Sequence, residues 1–201
     1  MFSEMVRKHS RSLLEPIARL INKLGLSPNV VTVSGFLLMV GVAFVLAQGH
    51  LFWGGLLIIG SALFDAVDGT LARMIGRTSR FGAFLDSTLD RFSEAVIFLG
   101  LFIYFIGQDH QLELILIYAT VVGSLMVSYA RARAEGIGVP LKDGWFTRFE
   151  RIFLLVVGLL FSFITANLLT LILLVLAVFT NVTAVQRMYL VWRMIGSEEG
   201  S

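Results

Sequence analysis

"FDAVDGTLARMIGRTSRFGAFLDSTLDR", residues 64–91, sets aspartates at 65, 68, 86 and 90 at the ends of apolar runs. A carboxylate at such a place is costly and marks a functional site by default. At 100° per residue, Asp65, Asp68, Gly69, Ala72 and Arg73 fall within an arc of about 140° on one helix. Gly82, Asp86 and Asp90 stand four apart and form a nearly straight stripe on the next. The intervening loop is short, so the two helices are expected to be antiparallel neighbours whose acidic faces meet.

Converging carboxylates in a low-dielectric site repel one another and stay ionised only around cations. Hard oxygen donors select Mg²⁺, Mn²⁺ or Ca²⁺. Two such ions suit phosphoryl chemistry, with substrate phosphates completing the shell. The small residues Gly69, Ala72 and Gly82 leave room for a bulky group against the helix backbone, and Arg73 can answer a phosphate oxygen.

The rest of the chain supplies the membrane. Of 201 residues, 57% are hydrophobic and only 15% charged, against about 25% charged for a soluble domain. Cysteine is absent, which excludes disulfides, thiolate metal sites and a cysteine nucleophile. The three histidines, His9, His50 and His110, are scattered. No nucleic-acid partner is expected. Apolar runs of about 20 residues, enough to cross roughly 30 Å of hydrocarbon, predict six crossings at 30–48, 51–72, 82–107, 112–135, 147–165 and 168–193. Ahead of them Leu13, Leu14, Ile17, Leu20, Ile21 and Leu24 recur at helical spacing, opposite Arg11, Glu15, Arg19, Asn22 and Lys23. This predicts an amphipathic helix lying on the membrane surface. The expected fold is therefore all-α and integral to the membrane, with six transmembrane helices. Residues 1–28 form the juxtamembrane segment, 29–196 the six-helix domain and 197–201 a polar tail.

Six crossings put all 16 Lys and Arg on one side or in the adjoining helix ends. Positive-inside bias then predicts a multi-pass protein with cytoplasmic termini and cytoplasmic aspartates. Trp53, Trp145 and Trp192 fall near the predicted interfaces.

The spacing Asp65-x2-Asp68-Gly69-x2-Ala72-Arg73-x8-Gly82-x3-Asp86-x3-Asp90 resembles the full signature of the CDP-alcohol phosphotransferases. The resemblance implies a membrane enzyme of phospholipid synthesis, in which an acceptor hydroxyl displaces CMP from CDP-diacylglycerol. It implies that Asp65, Asp68, Asp86 and Asp90 hold Mg²⁺ or Mn²⁺, two ions in all, and that Asp90 is also the base for the acceptor hydroxyl. It assigns Gly69 and Arg73 to the nucleotide and diphosphate, joined by Ser79 and, from "SPNVVT", by Asn29 and Thr32. A homodimer is implied as well.

A second basic group bears on the acceptor. "SYARARAEG" (128–136) offers Ser128, Arg131 and Arg133, "TRFERI" (147–152) offers Arg148 and Arg151, and Arg187 lies inside the last apolar helix. An intramembrane arginine wants an anion. Ser128, Arg131, Arg133, Arg151 and Arg187 are the expected contacts for a phosphorylated polyol. These segments are similar to those of the phosphatidylinositol phosphate synthases, which implies inositol phosphate as acceptor. A phosphatidylglycerophosphate synthase is the alternative within the family. A cation transporter using the same acids, or a non-catalytic scaffold, are the alternatives outside it. Beyond the aspartates only Asp109 and Glu113 would serve a path to the far side.

Overall fold

The computed structural model describes residues 27–61, 79–141 and 144–199, and among these every regular element is an α-helix. They are α1 Pro28–Ala47, α2 Leu51–Ser61, α3 Arg80–Ile106, α4 Gln111–Gly136, α5 Arg148–Leu160 and α6 Ala166–Glu199. The expected amphipathic segment lies, apart from its last residues, outside the described residues, as do Asp65, Asp68, Gly69 and Arg73.

Local chemistry sets the helix starts. Ser27 caps α1, its Oγ accepting from the Val30 N–H, and Pro28 follows in the first turn, where a missing N–H costs nothing. Ser79 caps α3, its Oγ accepting from the Gly82 N–H at 2.8 Å. At α5 the Glu150 carboxylate reaches back to accept from the Thr147 N–H at 2.8 Å and from the Thr147 hydroxyl.

α1, α3 and α4 begin and end within two residues of the expected limits. By length and composition α1, α4 and the Asn167–Gly196 stretch of α6 are able to cross a membrane. α3 has 27 residues, about 40 Å of helix, but its first 15 carry Arg80, Asp86, Asp90, Arg91 and Glu94. The fifth expected crossing, 147–165, is helical over a shorter stretch. Its helix has 13 residues, roughly 20 Å, and a turn follows over 161–164. The Phe161–Ile164 run is apolar enough to read as helix, yet the Ile164 N–H turns back to Phe161 O. α6 continues to Glu199, into the stretch expected as a tail.

α1 packs along α3 and α4 along α6, with further contacts between α3 and α4 and between α5 and α6. In lipid such packing is driven by close van der Waals contact and interhelical hydrogen bonds, not by expulsion of water. Small residues mark both main seams. A Cβ on Gly100 of α3 would stand 2.4 Å from the Ala43 carbonyl oxygen of α1. One on Gly123 of α4 would stand 2.4 Å from Thr180 Oγ1 of α6. Beside it, Asn181 Nδ2 donates to Ala119 O at 3.0 Å across the α4–α6 seam. Phe98, Leu101, Leu46, Ile58, Leu155, Leu159, Leu173 and Leu176 fill the interior, while Phe44, Phe149, Phe163, Trp145 and Trp192 point outward. An outer surface this apolar suits lipid.

The bundle has two unlike ends. At one, Glu113 at the start of α4 accepts from Thr170 Oγ1 at 2.7 Å and lies 3.3 Å from His110. The other end gathers the starts of α1, α3 and α5 with the later turns of α4 and α6. There lie all the described residues singled out for chemistry.

Candidate active site

The acidic stripe on α3 is in place and longer than expected. Asp86 is exposed, Asp90 half-buried and Glu94 fully buried, each one turn deeper into the bundle. Arg148, in the first turn of α5, sets its Nη1 2.6 Å from Asp90 Oδ1. Arg91 Nη1 stands farther off, 4.0 Å from Asp90 Oδ2. One turn deeper, Arg151 grips Glu94 bidentately, Nε to Oε1 at 2.6 Å and Nη2 to Oε2 at 2.8 Å. α3 and α5 are thus joined by two charged rungs.

Arg151, one of the expected acceptor contacts, is 2% exposed, and its guanidinium donates to Glu94 and to the Phe146 carbonyl. Arg148 is the more accessible cation of the two, and its Nε is buried with no hydrogen-bond partner among the described residues. Glu94 was missed in the sequence. The signal was the stripe 82–86–90–94, whose last member is a charge amid an otherwise apolar half-helix.

Three expected features converge at the start of α3. A Cβ on Gly82 would stand 2.9 Å from Ser79 Oγ and 3.1 Å from Asn29 Oδ1, so the Asn29 amide from α1 lies directly over this glycine. Thr32, one turn along α1, donates from Oγ1 to Pro28 O at 3.0 Å and is half-buried. The start of α3 thus brings an amide and a hydroxyl together over the Gly82 backbone.

Arg187 is buried at 5% exposure in α6. Its Nη1 donates to Val127 O of α4 at 2.6 Å, and its guanidinium lies against Gly144, where a Cβ would come within 2.8 Å of Nη2. The positive charges of Arg131, Arg151 and Arg91 all bear on it. Of these, Arg151 pairs with Glu94 and Arg91 stands 4.0 Å from Asp90. Arg131 is exposed and pairs with Glu135 at 2.9 Å, and Arg133 is exposed at the end of α4. Ser128 lines a different feature, a groove of about 550 Å³ between α3 and α4 with Ser87, Thr88, Arg91 and apolar neighbours.

The donors fit a hard divalent ion. Asp86 and Asp90 present hard carboxylate oxygens one turn apart at the polar end of the bundle, while no group of three or more such side chains gathers among the described residues. Such an ion would neutralise charge on a diphosphate and polarise its phosphorus.

The model of the CDP-alcohol phosphatidyltransferase family matches residues 25–192. The chain belongs to that family and is a membrane transferase. It is 38% identical to the phosphatidylinositol phosphate synthase of Corynebacterium glutamicum over 157 residues, 76% of this chain and 71% of that one. It is 34% identical to the archaetidylinositol phosphate synthase of Pyrococcus horikoshii over 185 residues, 92% of this chain and 93% of that one. The crystal structure of Mycobacterium tuberculosis phosphatidylinositol phosphate synthase with CDP-DAG bound superimposes with a TM-score of 0.85 at 35% identity, covering 90% of this chain and 94% of that one. The same enzyme in complex with manganese and citrate gives a TM-score of 0.84 at 35% identity, covering 89% and 88%.

Proposed function

We propose that this protein transfers the phosphatidyl group of CDP-diacylglycerol to a hydroxyl of inositol phosphate, giving phosphatidylinositol phosphate and CMP. The observation that carries the reading is the contact between Asp90 and Arg148, which brings the family's base position beside a cation suited to an acceptor phosphate. The names of the synthases in Corynebacterium and Pyrococcus support the headgroup, since both end in an inositol phosphate.

In this reading Asn29, Thr32, Gly69, Arg73 and Ser79 hold the CDP portion. Ser128, Arg131, Arg133, Arg151 and Arg187 draw the acceptor phosphate to the mouth of α4, α5 and α6, with Arg148 beside Asp90. Asp90 takes the proton from the acceptor hydroxyl, and the freed oxygen bonds to the phosphorus bearing the diacylglycerol. The bond from that phosphorus to the CMP oxygen breaks, and CMP leaves with the electron pair. A base must reach the proton while staying deprotonated itself, and cations around Asp90 keep it so. Asp65, Asp68, Asp86 and Asp90 would hold two Mg²⁺ or Mn²⁺ ions, and the manganese complex of the mycobacterial enzyme supports a divalent metal.

We further propose six membrane passages with both termini and the active site in the cytoplasm, an interfacial helix ahead of them, and a homodimer. The basic residues gathered at one end of the bundle support that orientation. Purified protein in detergent or vesicles should release CMP from CDP-diacylglycerol only when Mg²⁺ or Mn²⁺ and a phosphorylated polyol are both supplied. Release without metal, or without any acceptor phosphate, would count against it.

A further inference from the structure

Given the phosphorylated acceptor proposed for this site, we infer that Gly144 is a positioning residue for Arg187 and, through it, for the acceptor phosphate. Arg187 is buried in α6, and its Nη1 donates to Val127 O of α4 at 2.6 Å. That carbonyl belongs to a helix, so the bond uses its second lone pair and ties one side of the guanidinium to a rigid element. The other side faces the chain that enters α5. A Cβ on Gly144 would stand 2.8 Å from Nη2, 2.9 Å from Nε and 3.2 Å from Cζ. The φ of Gly144 lies outside the left-handed region, so backbone conformation does not call for glycine here. What excludes a side chain is the guanidinium itself.

Several contacts hold the chain in this place. Trp145 N–H donates to Gln186 Oε1 at 3.2 Å, and Gln186 precedes Arg187 on α6. Phe146 is buried, its ring 5.7 Å from that of Phe179 on α6. On the α4 side Gly138, at φ +84°, turns the chain, and Val139 N–H returns to Ala134 O at 2.9 Å. Val139 and Leu141 then pack with Leu190, Val191 and Ile195 of α6. The described parts of the loop are thus fastened to α6 both before and after Arg187. A methyl at 144 therefore finds little give in the loop, and the guanidinium must withdraw by roughly half an ångström to reach ordinary contact. The far end of an arginine can do so without unfolding the bundle. Its bond to Val127 O is then strained and its charge leaves its place. Misplacing a binding group by about 1 Å costs about 10²-fold. Gly144 thus sets where the cation of α6 stands, without touching the acceptor.

The test is a double-mutant cycle on steady-state CMP release in vesicles, for wild type, G144A, R187K and G144A/R187K. Inositol 1-phosphate and CDP-diacylglycerol are varied in turn, and a thermal melt is run on each variant. Gly144→Ala is expected to raise the acceptor KM about tenfold, with the KM for CDP-diacylglycerol within about twofold of wild type and the midpoint close to it. Arg187→Lys keeps the charge but removes the guanidinium that a methyl at 144 would displace. Its acceptor KM should rise on its own, and adding Gly144→Ala should then change it by less than about twofold. Should G144A not fold, Gln186→Leu, which loosens the loop without adding a Cβ, takes its place in the cycle. Its expected effect is an acceptor KM raised about threefold, again lost beside Arg187→Lys. An acceptor KM for G144A near the wild-type value overturns the inference. So does an equal rise in the Arg187→Lys background, which would show that residue 144 acts elsewhere. A rise in both KM values with a lowered midpoint overturns it as well, leaving Gly144 a structural role only. Free inositol serving wild type as well as inositol 1-phosphate defeats the acceptor reading, and that shows before any variant is compared. The same cycle is then read on the KM for inositol, where independent effects of the two substitutions overturn the positioning role too.

Discussion

Arg148 of α5 and Asp90 of α3 are bound at 2.6 Å, although 58 positions apart, so the acidic helix and the basic helix share one site. If Asp90 is the base of that site, Asp90→Asn should lower the turnover for CMP release by about 10²–10⁴-fold. Binding of CDP-diacylglycerol should change far less, and a thermal melt should show the fold retained. Turnover within a few-fold of wild type would remove Asp90 from that role.

Gly82→Ala probes the nucleotide end. The new methyl would meet Ser79 Oγ at 2.9 Å and Asn29 Oδ1 at 3.1 Å, and both side chains must yield. The expected effect is a rise of about tenfold in the KM for CDP-diacylglycerol, or roughly 1.4 kcal/mol. The acceptor KM should stay near its wild-type value. Equal changes in both would mean that the start of α3 does not belong to the nucleotide site.

If Arg187 is an acceptor contact, Arg187→Gln should raise the acceptor KM by more than tenfold, since it removes a buried cation of α6. The effect should shrink when a high concentration of inorganic phosphate competes for the same position in wild type. A change confined to the thermal midpoint would mean that Arg187 serves only to tie α6 to Val127 of α4.

Gly100→Ala tests the fold apart from the chemistry. Its methyl would stand 2.4 Å from the Ala43 carbonyl oxygen, a backbone atom that cannot rotate aside. α1 and α3 would have to part, at about 1–3 kcal/mol. The check is a thermal melt in detergent, with the midpoint several degrees below that of wild type. An unshifted midpoint would show that the α1–α3 seam has slack.

Much of this architecture was legible in the sequence because lipid is a strict solvent. A backbone crossing it must bond to itself, so runs such as Pro28–Ala47 and Gln111–Gly136 read directly as helices. The turn after Leu160 was hidden because Phe161, Phe163 and Ile164 are as apolar as the helix before them. The stripe through Gly82, Asp86 and Asp90 was visible as a four-residue period, which is local. The partners of that stripe were not, since Glu94 and Arg151 lie 57 residues apart and meet only once α5 is placed. Arg151 read as a phosphate contact from its charge alone, and its Glu94 partner appears only in the fold. Arg187 stood out by composition alone, as an arginine in an apolar helix.

The most direct test of the central claim is a competition in one vessel. Vesicles bearing the protein and CDP-diacylglycerol receive Mg²⁺ and equal amounts of inositol 1-phosphate, glycerol 3-phosphate, serine and inositol, and the lipid products are weighed by mass spectrometry. The account predicts phosphatidylinositol phosphate as the dominant product, one CMP for each molecule formed, and none of either when the metal is chelated. A product made mainly from serine or free inositol, or one that persists after chelation, would contradict it.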